Sequence, residues 1–125
     1  MVRRTSGDGG AADDLDEVEI RLGRAFADRK LLQQALTHRS FAHESAQPCA
    51  DNESLEFLGD AILAFDVCDR LYRAFPGLDE GRLSKHKHLL VRASTLADCS
   101  RELGLSGHVR LGRGERKCGP PNERI

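Results

Sequence analysis

The chain has 125 residues, a net charge of −1, 39% hydrophobic and 31% charged residues, which suits one soluble globular domain with a modest core and leaves no room for two. No apolar run reaches membrane-spanning length, and the polar, Gly-rich start carries no secretory leader, so a soluble, cytoplasmic protein without a membrane partner is expected.

Met1 to Asp14 reads as a disordered tail, with the domain over residues 15–125. Leu15, Val18 and Leu22 share one helical face, and Gly23 ends that segment. Asp28 is placed to cap a helix from Arg29 that turns Leu31, Leu32, Ala35 and Leu36 inward and runs on into Thr37-His38-Arg39-Ser40. His38, at its end, is expected to be a core or capping histidine. Ala42 to Asp51, with Pro48, reads as a loop. A long helix follows from Asn52 to Ala74 and stops at Pro76-Gly77. Two more are expected: Glu80 to Leu90, burying Leu83, Leu89 and Leu90, and Ser94 to Leu103, burying Leu96, Ala97 and Leu103 before Gly104. Leu105 to Leu111 alternates weakly, and Gly112 to Pro121 reads as a loop. Every confident element is helical, so the fold class expected is all-α.

Cys49, Cys68, Cys99 and Cys118 are scattered, with no Cys-x-x-Cys pair and no tight Cys/His cluster. Zinc is not expected; reduced, space-filling thiols are, with Cys68 and Cys99 on helices. The net charge conceals a strong asymmetry. Asp51 to Glu80 holds eight acidic residues against Arg70 and Arg73, whereas Arg82 to Lys117 holds nine Lys and Arg against Asp98, Glu102 and Glu115. Ordinary surface solvation with salt bridges between the halves also explains this asymmetry; if the basic half, which also carries His86, His88 and His108 and no aromatic residue, meets a polyanion, contact with a duplex backbone is favoured over base stacking.

The long helix contains the feature that needs explaining. Glu53, Glu56 and Asp60 stand at i, i+3 and i+7, and at about 100° per residue they fall within one narrow arc, opposite Leu55, Leu58, Ile62 and Phe65. Phe57, Leu63, Ala64 and Val67 lie on the acidic side, so the carboxylates are expected among packed side chains. Burial there costs several kcal/mol unless a positive partner arrives, and no Lys or Arg occurs between Asp51 and Asp69. The partner must come from elsewhere in the chain or be a cation. Glu56 and Asp60, roughly 6 Å apart along the axis, can share one ion; Glu53 and Asp60, roughly 10 Å apart, cannot. Oxygen ligands suit Mg²⁺, which completes its shell with water and substrate phosphates; Mn²⁺ could substitute. Glu53 alone is also explained as the acid that complements the helix N-terminus behind an Asp51 or Asn52 cap.

The stretch Asn52-Glu53-Ser54-Leu55-Glu56-Phe57-Leu58-Gly59-Asp60-Ala61-Ile62-Leu63 resembles the signature of the ribonuclease III endonuclease domain, with Ser54 where a basic residue is usual. Thr37-His38-Arg39-Ser40-Phe41, Phe75-Pro76, Glu80-Gly81-Arg82-Leu83-Ser84, Leu89-Leu90-Val91 and Leu111-Gly112-Arg113-Gly114-Glu115 support it in family order. The resemblance implies an all-helical homodimer whose valley takes double-stranded RNA, with one acidic Mg²⁺ centre per subunit. It matches Glu56 to a metal ligand and Asp60 to a catalytic carboxylate that helps to position metal and attacking water. Glu53 and Glu80 match accessory acids of the cleft, and Phe57 the aromatic that fills a pocket on the partner subunit. Hydrolysis of this type leaves a 5′-phosphate and a 3′-hydroxyl.

One departure stands out. The family completes its metal site with a further Asp and Glu on a helix beyond the Gly-rich loop, whereas this sequence reaches Ile125 where that helix would begin, and Pro120-Pro121 replaces residues that are usually Gly or basic. No double-stranded-RNA-binding module follows. A domain lacking its C-terminal helices is therefore expected, inactive or nearly so alone. The alternative is a non-catalytic module of the same fold that binds structured RNA or protein.

Overall fold

The computed structural model describes residues 9–117, with side chains from residue 14 onward. Among them are seven helices, α1 (Gly9–Leu22), α2 (Arg29–Ala35), α3 (Arg39–Glu44), α4 (Glu53–Ala74), α5 (Glu80–Val91), α6 (Ala93–Glu102) and α7 (Arg113–Arg116), with a 3₁₀ turn at Ser106–His108. Extended pairing among the described residues is confined to one parallel bridge between Thr37 and Arg110. The all-α expectation holds, and α4, α5 and α6 begin and end within about a residue of the sequence reading. The expected tail over residues 1–14 is corrected in part: α1 is already helical from Gly9, while residues 1–8, Cys118 and Pro120-Pro121 lie outside the described residues.

Local chemistry explains the helix ends. Asp28 accepts from the backbone N–H of Lys30 and Leu31, and Asp79 from that of Arg82, each filling an orphan donor of a first turn. Gly23 and Gly104 take positive φ after α1 and α6, the conformation glycine adopts without a Cβ penalty.

The helix expected from Arg29 through Ser40 is two helices. Leu36, Thr37 and His38 form a corner whose backbone groups are taken by distant segments: Arg110 N–H donates to Leu36 O at 2.7 Å, His38 N–H to Arg110 O at 3.0 Å, and Asn52 N–H to Thr37 O at 2.9 Å. Thr37 is 1% exposed, and its hydroxyl donates to Gln33 O at 2.7 Å. His38 is the capping histidine expected, its Nδ1 accepting from Ser40 N–H. The expected loop from Ala42 thus begins only after α3.

Val18, Leu32 and Leu36 form a buried cluster with Leu15, Phe26 and Leu105 packed on it, and Leu71 of α4 is buried apart from it. The expected core is larger than the observed one. α4 packs on α5, but Leu58, Ile62 and Phe65, assigned to a core, are exposed, as are Leu31, Ala35, Leu89, Leu90 and Leu103; Leu55, Leu83, Leu96 and Ala97 are half-buried. Periodicity shows which faces seek cover, while the cover itself must come from another element. Cys49, Cys68 and Cys99 are free thiols, but all are exposed rather than space-filling.

At Gly112 the segment from Leu111 to Glu115 meets α3: the Gly112 N–H donates to Ser40 Oγ at 2.9 Å, and Arg113 N–H to Glu44 Oε2 at 2.9 Å. A Cβ there would lie 2.7 Å from Glu44 Oε1 and 2.8 Å from Ser40 O. Gly112→Ala is expected to destabilise the fold by about 1–3 kcal/mol and to lower the thermal midpoint by roughly 4–8 °C per kcal/mol. An unchanged melting curve would refute this.

Candidate active site

The first turn of α4 is tied down at three points. Asp51 Oδ1 accepts from Glu53 N–H at 3.0 Å, Gln34 Nε2 donates to Asp51 O at 3.0 Å, and Asn52 Nδ2 donates to Ala35 O at 3.2 Å. Asp51 is therefore the side-chain cap, and Asn52 anchors the helix to the Thr37 corner. From this start α4 presents Glu53, Glu56 and Asp60 along one arc, as their spacing requires.

All three acids are exposed, which corrects the expectation that they sit among packed side chains. Water solvates them, and the desolvation argument for a counter-ion falls away. Glu53 has the positive partner sought from elsewhere in the chain: Arg39 Nη1, on α3, lies 3.0 Å from Glu53 Oε1. Nothing in the local pattern pairs Arg39 with Glu53, although Arg39 is the Lys or Arg nearest before the acidic stretch. The carboxylates of Glu56 and Asp60 take no hydrogen bond or ion pair from the described residues.

Glu80 stands apart. It begins α5, accepts from Ser84 Oγ at 2.7 Å, and lines a cleft of about 270 Å³ with Cys68, Tyr72 and Lys87; Cys68 is about 12 Å along α4 from Asp60. Phe57, beside Glu56, is 83% exposed.

Two oxygen-donor groups one turn apart, open to solvent and, among the described residues, free of competing cations, fit a hard divalent ion that keeps most of its water. No group of three or more His, Cys, Asp and Glu side chains converges among the described residues, so the protein's share of such a site here is the Glu56–Asp60 pair. The basic half is partly engaged elsewhere: Arg101 pairs with Asp98, and the Arg110 guanidinium stacks 4.2 Å from the Phe41 ring centre. Lys85, His86 and His88 are exposed. Arg70 on α4 is exposed as well, and a hydrogen bond from it to Asp66, together with that residue's charge, raises its pKa further. No helix among the described residues is long and apolar enough to cross a membrane.

Comparison with known proteins bears on the family and the fold. The Ribonuclease-III-like family profile matches residues 28–124. Ribonuclease 3 of Geobacter sulfurreducens is 44% identical over 116 residues, which is 92% of this chain and 47% of that protein, so the chain spans about half the length of this curated relative. Two structures of the nuclease domain of ribonuclease III from Campylobacter jejuni superpose well. One, which concerns flexibility in a region involved in dimer formation of that protein, gives a TM-score of 0.76 at 35% identity over 84% of this chain and 70% of that one. The other, at 2.2 Å resolution, gives 0.74 at 36% identity over 83% and 67%. Signature, helical architecture and relatives converge, and the chain belongs to the ribonuclease-III-like family, with the fold of its nuclease domain.

Proposed function

We propose that this chain is the metal-binding part of an endoribonuclease domain that cleaves double-stranded RNA in the cytoplasm, working as a homodimer. The observation that carries the reading is the Glu56–Asp60 pair, exposed, one turn apart and, among the described residues, unpaired with cations in a chain of this family. These two residues would hold Mg²⁺, or Mn²⁺ in its place. When bound, the ion lowers the pKa of a coordinated water and offsets charge on the phosphoryl oxygens. Asp60, two turns inside a helix whose start is tied to the Thr37 corner, would help to hold the ion and to orient the attacking water. Glu53 and Glu80 act as accessory acids of the RNA cleft, and Phe57 reaches the partner subunit. The products are a 5′-phosphate and a 3′-hydroxyl. The free thiols suit a reducing compartment.

With one acidic pair the 125-residue chain is expected to hydrolyse RNA slowly or not at all, since one helical turn does not fix the geometry that hydrolysis needs. One observation favours a second reading, a non-catalytic module that binds structured RNA or protein: no third metal-ligating side chain joins the pair among the described residues. Cleavage of end-labelled double-stranded RNA in Mg²⁺, with EDTA and Glu56→Ala as controls, tests both. Little or no cleavage with metal-dependent RNA binding supports the nuclease reading of an incomplete site. Robust cleavage lost in both controls overturns the expectation of inactivity, and RNA binding equal or stronger in Glu56→Ala, indifferent to metal, supports the binding module.

A further inference from the structure

The three acids of α4 form two adjacent pairs, Glu53–Glu56 at i, i+3 and Glu56–Asp60 at i, i+4, and either spacing brings two carboxylates within reach of one ion. Geometry on α4 alone does not choose between them. The choice comes from α3, whose first residue, Arg39, donates from Nη1 to Glu53 Oε1 at 3.0 Å across fourteen positions of sequence. This cation is delivered by structure. His38 caps α3 through Ser40 N–H, Thr37 is buried just before it, and Thr37 O accepts from Asn52 N–H at the start of α4. The starts of both helices thus hang from one buried corner, which sets the guanidinium beside Glu53.

We propose that Arg39 is a positioning residue for the acidic face. It occupies Glu53, leaves Glu56 and Asp60 as the divalent ion's protein ligands, and presents positive charge to the backbone of an approaching duplex. This rests on the nuclease reading above and adds to it the residue that selects the metal pair. The ion pair is exposed on both sides, so it contributes little to stability, and its loss leaves the melting temperature nearly unchanged.

The test titrates the whole chain with Mn²⁺ and, at low salt, with a short blunt RNA duplex, for the unaltered protein, Arg39→Ala, Arg39→Lys and Glu56→Gln. Arg39→Ala is expected to bind Mn²⁺ about two- to fivefold more tightly, because a positive charge within about a Debye length is gone and Glu53 is released. The same variant binds RNA more weakly, with a salt slope shallower by about one. Arg39→Lys restores both affinities toward those of the unaltered chain. Opposite signs cannot arise from damage to the fold, which weakens both. Mn²⁺ affinity that responds to Glu56→Gln but not to Arg39→Ala, or a loss of both affinities in Arg39→Ala, overturns the role of Arg39 alone. Mn²⁺ affinity indifferent to Glu56→Gln overturns the nuclease reading and this inference with it.

Discussion

If the chain forms the proposed homodimer, Phe57→Glu is expected to keep it monomeric at concentrations where the unaltered chain pairs. Phe57, Ala61 and Phe65 follow one another at i, i+4 and i+8 on α4, with Leu58 and Ile62 alongside; Phe57 is 83% exposed, Phe65 74% and Ile62 60%. Scattered apolar side chains on a surface are ordinary, but a contiguous row at helical spacing marks a surface that another one covers. Burying a phenylalanine side chain stabilises by about 1.5–3 kcal/mol, and a two-fold interface contains each residue twice. The substitution therefore removes roughly 3–6 kcal/mol, which weakens association by about two to four orders of magnitude, and it adds a fourth acid beside Glu53, Glu56 and Asp60. Sedimentation equilibrium over a dilution series measures the effect. Equal association of both proteins would remove Phe57 from the dimer contact.

The second large effect concerns the metal. Glu56→Gln and Asp60→Asn preserve shape on an exposed face, so the fold and its melting temperature should survive. Each variant nevertheless removes one negative charge from beside a divalent ion. At 4 Å in water that interaction is about 2 kcal/mol, twice the value for unit charges, so each substitution is expected to weaken Mn²⁺ binding roughly thirtyfold. The double variant should bind none in the accessible range. Electron paramagnetic resonance titration with Mn²⁺ reads this directly, with thermal unfolding as the check on the fold. Affinities unaltered in both single variants would place the ion, if it binds, away from α4.

Much of this protein follows from short-range pattern. Asp28, Asp79, Gly23 and Gly104 mark helix ends by capping and by φ, which depend on neighbours within a few positions, and they lie where the spacing of apolar residues puts them. The family is legible in the same way, because the α4 signature is contiguous. So is the shared face of Glu53, Glu56 and Asp60, a consequence of helical pitch alone.

What only the tertiary structure decided is long-range. Pattern continues a helix through Leu36–His38, yet backbone groups of Asn52 and Arg110 claim the hydrogen bonds that would carry it on, and the chain turns there instead. Pattern assigns Leu58, Ile62 and Phe65 to a core, yet among the described residues more than half of each side chain stays exposed, because amphipathicity states a demand for burial without naming what meets it. The ion pair between Arg39 and Glu53 belongs to the same class. Two residues fourteen apart in sequence meet only because the Thr37 corner holds the starts of α3 and α4 together.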